Sequence, residues 1–183
     1  MEKIYWFWNL VHYCIFKFEK RASFYINLPL KWVFSQFFEI SFIEQGLKKR
    51  GSSKEDIFKE SENVLNNSNS GLNIMISGIQ MGGILVLIEY ALFNFVQGII
   101  EKSYIQTIWE NDLFKFLFIL SLLILPGIFN YFVLFKNNRY LRYFEKFKKS
   151  SHSDKLRYSR LTFGFVICVI LILIGSFKFL MIN

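Results

Sequence analysis

LFKFLFILSLLILPGIFNYFVLF, residues 113–135, decides the fold. It holds a single charge, Lys115, in 23 residues. As a helix rising about 1.5 Å per residue it outreaches the roughly 30 Å hydrocarbon core of a bilayer. Two other runs share this character, LNIMISGIQMGGILVLIEYALFNFVQGI over 72–99 and LTFGFVICVILILIGSFKFLMI over 161–182, each again with one charge, Glu89 and Lys178. Apolar residues make up 53% of the chain, near the average of about 45–50% for soluble domains, so their clustering and not their total carries the inference. The expected fold class is an all-α integral membrane protein with three transmembrane helices.

Charge sets the expected orientation. The loop 136–160 carries nine Lys/Arg against two Asp/Glu, whereas 101–112 carries Lys102 against Glu101, Glu110 and Asp112. Short basic loops stay on the cytoplasmic side. The N-terminus is therefore expected inside and the C-terminus outside, with Tyr104 and Trp109 at the outer interface. Richness in Lys, Asn, Ile, Phe and Ser hints at an AT-rich bacterial genome, hence at a bacterial inner membrane.

The domain reading is an N-terminal arm, 1–70, and a three-helix bundle, 71–183, with the basic cytoplasmic loop 136–160. Within the arm, Leu30, Val33, Phe34, Phe37, Phe38, Phe42 and Ile43 fall near one face of a helix over 29–49, while Lys31, Gln36, Glu39, Gln45 and Lys49 populate the rest. Such a helix is expected to lie in the membrane interface. Ser52 followed by Glu55 resembles a capping box opening a short helix over 53–66. The tract Asn66-Asn67-Ser68-Asn69-Ser70-Gly71 then breaks the chain before the first span. A four-span alternative inserts 4–18 as a hairpin against 24–43. It places Lys17, Lys20 and Arg21 in an outer turn, against the Lys/Arg asymmetry, so the interfacial reading is preferred.

Candidate site residues lie mainly inside the spans. Glu89 sits several turns from either end of its run, where an ionisable group is costly and either handles ions or joins helices by hydrogen bonding. Depth counting groups Glu89 with Ser121 in an outer polar layer, with Lys178 just above and snorkelling outward. It groups Gln80, Asn130 and Cys168 in an inner layer. Gly78 and Gly82, with Gly83 adjacent, form a G-x-x-x-G pattern that serves self-association and internal packing equally well. Pro126-Gly127 is expected to kink the second span. In RYLRYFEKFKK, Arg139, Arg142, Lys146 and Lys149 form a basic stripe beside Tyr140, Tyr143, Phe144 and Phe147, which suits anionic lipid headgroups better than nucleic acid.

Cys14 and Cys168 lie in no C-x-x-C setting and predict no disulfide framework. His12 and His152 have no supporting cluster, and no G-x-S-x-G, P-loop or H-E-x-x-H motif is present. No catalytic residue, cofactor or metal is expected. The expected function is that of a non-enzymatic membrane subunit, forming a homo-oligomer or docking on a membrane-protein partner. The alternative is an oligomeric ion-conducting pore serving bacterial defence, or a toxin-immunity membrane protein.

Overall fold

A computed structural model describes residues 2–182, without the side chains of Met181 and Ile182. Eight α-helices follow in order: α1 (Glu2–Phe38), α2 (Ser41–Lys49), α3 (Lys54–Asn66), α4 (Leu72–Ile100), α5 (Ile105–Glu110), α6 (Asp112–Asn130), α7 (Arg139–Lys148) and α8 (His152–Ile182). No strand occurs among the described residues. Three stretches are long and apolar enough to cross a membrane, Leu72–Ile100, Asp112–Lys148 and His152–Leu180. Only 28%, 22% and 11% of their most apolar windows are buried within the chain. Side chains such as Ile79, Leu92, Leu123, Phe163 and Leu171 therefore face outward, as they do in a helix solvated by lipid.

The chain divides into two compact units, Met1–Cys14 with Gly78–Asn183, and Ile15–Ser77. α1 and α4 each contribute to both.

In the first unit α4 and α6 run antiparallel along a seam of small and aromatic residues. A Cβ on Gly78 would lie 3.2 Å from Cζ of Phe135, and one on Gly82 would lie 3.8 Å from Nδ2 of Asn130. Farther along, Phe93 and Phe118 meet with ring centroids 4.9 Å apart. α4 and α8 run parallel, with Tyr90 against Phe177 and Phe95 against Phe179. α6 opens on Asn111, whose Oδ1 accepts from the backbone N–H groups of Leu113 (3.0 Å) and Phe114 (3.2 Å).

The second span does not break at its proline. α6 runs through the buried Pro126, and the irregular winding comes five residues later, as a π-helical turn over Tyr131–Phe135. A 3-10 turn over Lys136–Asn138 follows, with Asn137 and Asn138 in the left-handed region at φ 57° and 51°. Asn tolerates that region better than most residues, so the two asparagines are the sequence signal for the reversal into α7. The expected loop 136–160 is mostly helical. α8 starts at His152 because Ser151 Oγ accepts from the Asp154 N–H at 3.1 Å and donates to Asp154 Oδ2 at 2.7 Å.

In the second unit α3 folds back beside the C-terminal half of α1. Lys31 pairs with Glu62, Lys54 with Glu39 at 2.9 Å, and Phe38 packs edge-on against Phe58. Ser23 donates to Asn73, and Asn73 donates to Asn66. Two expectations are corrected here. The helix over 29–49 is interrupted at residues 39–40, between α1 and α2, where these contacts reverse the chain. The capping box is Ser53–Asp56 and not Ser52–Glu55, because the helix begins at Lys54 and only Ser53 occupies the N-cap.

Gly71 is required for close approach and not for its dihedral angles. A Cβ there would lie 2.5 Å from Asn67 O, 2.7 Å from Asn67 N and 2.9 Å from Leu65 O, all backbone atoms that cannot rotate away. Gly71→Ala is expected to cost about 1–3 kcal/mol, the range for overpacking. Limited proteolysis reads this as faster cleavage within 66–71. A cleavage rate equal to wild type would refute the close packing.

Candidate functional site

Among the polar side chains buried in the first unit, Asn9 and Asn130 belong to one cluster and Asn94, Gln97 and Ser176 to another. The inner cluster joins the start of α1 to the end of α6. Trp8 Nε1 donates to Asn130 Oδ1 at 2.8 Å. Asn9 is fully buried, and its Nδ2 donates to Tyr5 O at 2.7 Å and to Val133 O at 3.2 Å. Arg139 reaches back from α7 to donate to Phe132 O at 2.7 Å, while its guanidinium sits 4.0 Å over the Tyr5 ring. The physical reason lies in the winding. A π turn displaces carbonyls from the α-helical ladder, and each exposed carbonyl needs a donor. Asn9 and Arg139 supply those donors, and the Arg139 charge also suits the negative end of the α6 dipole.

His12 lies one turn beyond Asn9, fully buried against Phe135, Tyr140 and Phe144. Burial lowers its pKa to about 3, so the imidazole is neutral near pH 7. Trp6 packs on Phe147 and Tyr158, Phe7 on Phe165, and Tyr13 on Phe144. Residues 5–13 thus pack against 129–165, the basic end of the bundle. The aromatic stripe of α7 is spent on this contact.

The outer cluster was not expected from sequence. Asn94 Nδ2 donates to Ser176 Oγ at 3.1 Å, and Ser176 Oγ donates to Leu173 O. One turn on, Gln97 Oε1 accepts from the Tyr104 N–H at 2.7 Å, tying the 101–104 linker to α4. All three side chains are buried. Two amides one turn apart near the end of an apolar run, beside Gly98, were the available signal.

Glu89 stands apart from both clusters. The register Gly78–Phe135, Gly82–Asn130, Phe93–Phe118 brings it level with Leu122 and Leu123, next to Ser121. It is half-buried, with no hydrogen bond or ion pair to another described residue. Ser121 donates to Phe118 O in its own helix, and Lys178 is exposed. The expected inner layer does not assemble. Asn130 is bound to Trp8, whereas Gln80 and Cys168 are exposed on different helices.

Of the glycines, Gly78 and Gly82 face the second span, and Gly83 faces open space. Of the basic stripe, Arg142, Lys146 and Lys149 are exposed, while Arg139 is held by carbonyls of the π turn. Among the described residues no three of His, Cys, Asp and Glu gather closely enough to hold a metal ion. Cys14 and Cys168 are both free thiols.

No protein-family model, no curated protein and no solved structure matches the chain.

Proposed function

We propose that the chain is a non-catalytic, multi-pass subunit of a bacterial inner membrane, associating with its own copies or with a larger membrane complex. The observation that carries this reading is the exposure of α8, only 11% of whose apolar window is buried within the chain. Lipid or other helices must cover such a surface. The orientation proposed has the N-terminus, α7 and the start of α8 on the cytoplasmic side and α5 outside, following the Lys/Arg asymmetry. The second half of α1 and α2 expose Phe34, Phe37 and Phe42, which supports an arm lying in the interface.

The distribution of polar groups favours a subunit over a pore. Gln80 and Glu89 are nine residues apart on α4, so at about 100° per residue they point to opposite sides and cannot line one aqueous path. Asn130, Asn94 and Ser176 are used inside the chain. One observation favours the pore reading, namely that Glu89 has no partner among the described residues of its own chain.

The test is the subunit count in nanodiscs, followed by conductance of the same sample in planar bilayers. The subunit reading expects no conductance above protein-free bilayers, for wild type and Glu89→Gln alike. A closed oligomer whose conductance falls on Glu89→Gln would overturn it in favour of the pore.

A further inference from the structure

We propose that the cytoplasmic end of α8 binds one anionic phospholipid, with the phosphate between Arg157 and Arg160 and an acyl chain along the groove at Gly164. The inference rests on the multi-pass reading and adds a ligand site to it. Arg157, Arg160, Leu161, Gly164, Phe165 and Cys168 line one open depression. Their spacing is that of a single helical stripe. Its polar end and its apolar end meet between Arg160 and Leu161, the first residue of the apolar run 161–182. A span inserted through that run puts both guanidiniums at the depth of lipid phosphates, with Gly164 and Cys168 below them among acyl chains.

Four features make this stripe more than a charged helix end. Neither Arg157 nor Arg160 has a hydrogen bond or ion pair with a described residue, in contrast to Arg139. The nearby acid, Asp154, is engaged by Ser151. Gly164 leaves open space beside the helix within this depression, since a Cβ there would meet nothing within 4 Å. The wall beside it is fixed, because Phe165 is held edge-on by Phe7 at 5.1 Å and Trp8 at 6.0 Å.

Charge selects the occupant. A second copy packed in parallel through this stripe would bring Arg157 and Arg160 against their own counterparts. Nucleic acid or an acidic protein could meet the arginines but could not enter the apolar segment at Gly164 and Cys168. An anionic phospholipid satisfies both ends, with two arginines offering forked donors to one phosphate.

The experiment uses the full chain in nanodiscs of phosphatidylcholine doped with phosphatidylglycerol, released into detergent, with retained lipid counted by native mass spectrometry. Wild type is expected to keep one phosphatidylglycerol per chain. Arg157→Gln with Arg160→Gln should weaken retention about thirtyfold, at roughly 1 kcal/mol per basic residue. Gly164→Leu should also lose the lipid with all charges in place, whereas Arg142→Gln with Lys146→Gln should keep it. Retention by the double arginine variant or by Gly164→Leu would overturn the site. Displacement by inorganic phosphate would do the same, since it would show a phosphate site without an acyl groove. Efficient Cys168–Cys168 cross-linking of wild type would instead put a second copy on the stripe. Failure of wild type to enter nanodiscs would overturn the membrane reading along with this one, whereas entry without selective retention would overturn this one alone.

Discussion

Lowering the pH from about 6.5 to about 4.5 destabilises the detergent-solubilised protein, and His12→Gln removes most of that dependence. The imidazole is pressed among Phe135, Tyr140 and Phe144, and burial lowers its pKa to about 3, against 6.5 for the free side chain. Below pH 6.5 the unfolded chain takes up a proton that the folded chain refuses. The contribution of neutral His12 is therefore fully present above pH 6.5 and is lost as pH falls toward 3. The slope is about 1.4 kcal/mol per pH unit, giving a loss on the order of 3 kcal/mol over two units. Glu44 is held below its usual range by a hydrogen bond from Lys48, and Asp56 by one from Ser53. Both carboxylates lose their contribution only at pH values below the ordinary carboxylate range, so among the shifted groups outside the spans the window above it belongs to His12. Thermal unfolding at several pH values checks this. A wild-type slope unchanged by His12→Gln would show that the imidazole is not sealed from water.

The second large effect concerns Asn9. Asn9→Ala is expected to destabilise the first unit by about 3 kcal/mol, combining an emptied buried site with a deprived carbonyl. Without Nδ2, Val133 O in the π turn loses its 3.2 Å side-chain donor and keeps the longer bond from Arg139 Nη1 at 3.4 Å. Asn9→Asp should be worse, since it replaces a donor with a buried acceptor facing two carbonyl oxygens. Trp8→Phe is the control. It keeps a ring against Phe129 and Phe165 and loses the bond to Asn130 with part of the indole volume, for about 1–2 kcal/mol. Thermal melts of the three variants rank these costs. Asn9→Ala no worse than Trp8→Phe would mean that the π turn does not depend on Asn9.

What the sequence revealed and what it hid follow from the range of the interactions. The three apolar runs are local features, and each coincides closely with one of the three helical stretches long and apolar enough to span. Gly78, Gly82 and Glu89 share a helical face by periodicity, and that face is the seam with the second span. The bond from Trp8 to Asn130 joins residues 122 apart, and the bond from Asn9 to Val133 joins residues 124 apart. No local pattern announces such pairs. Lys17, Glu19, Lys20 and Arg21 are all good helix formers, and α1 continues through them to Phe38, where the rejected four-span alternative needed a turn. Pro126 drew attention away from Tyr131–Phe135, where the winding changes without any Gly or Pro.

The most direct test of the membrane reading is the sidedness of its connections. Single cysteines at Ser61, Ser103 and Ser150, in a background of Cys14→Ser and Cys168→Ser, are exposed on intact cells to a membrane-impermeant maleimide. The three-span arrangement predicts labelling at Ser103 alone, with Ser61 and Ser150 reacting only after lysis. Ser103 and Ser150 reacting alike on intact cells would contradict it.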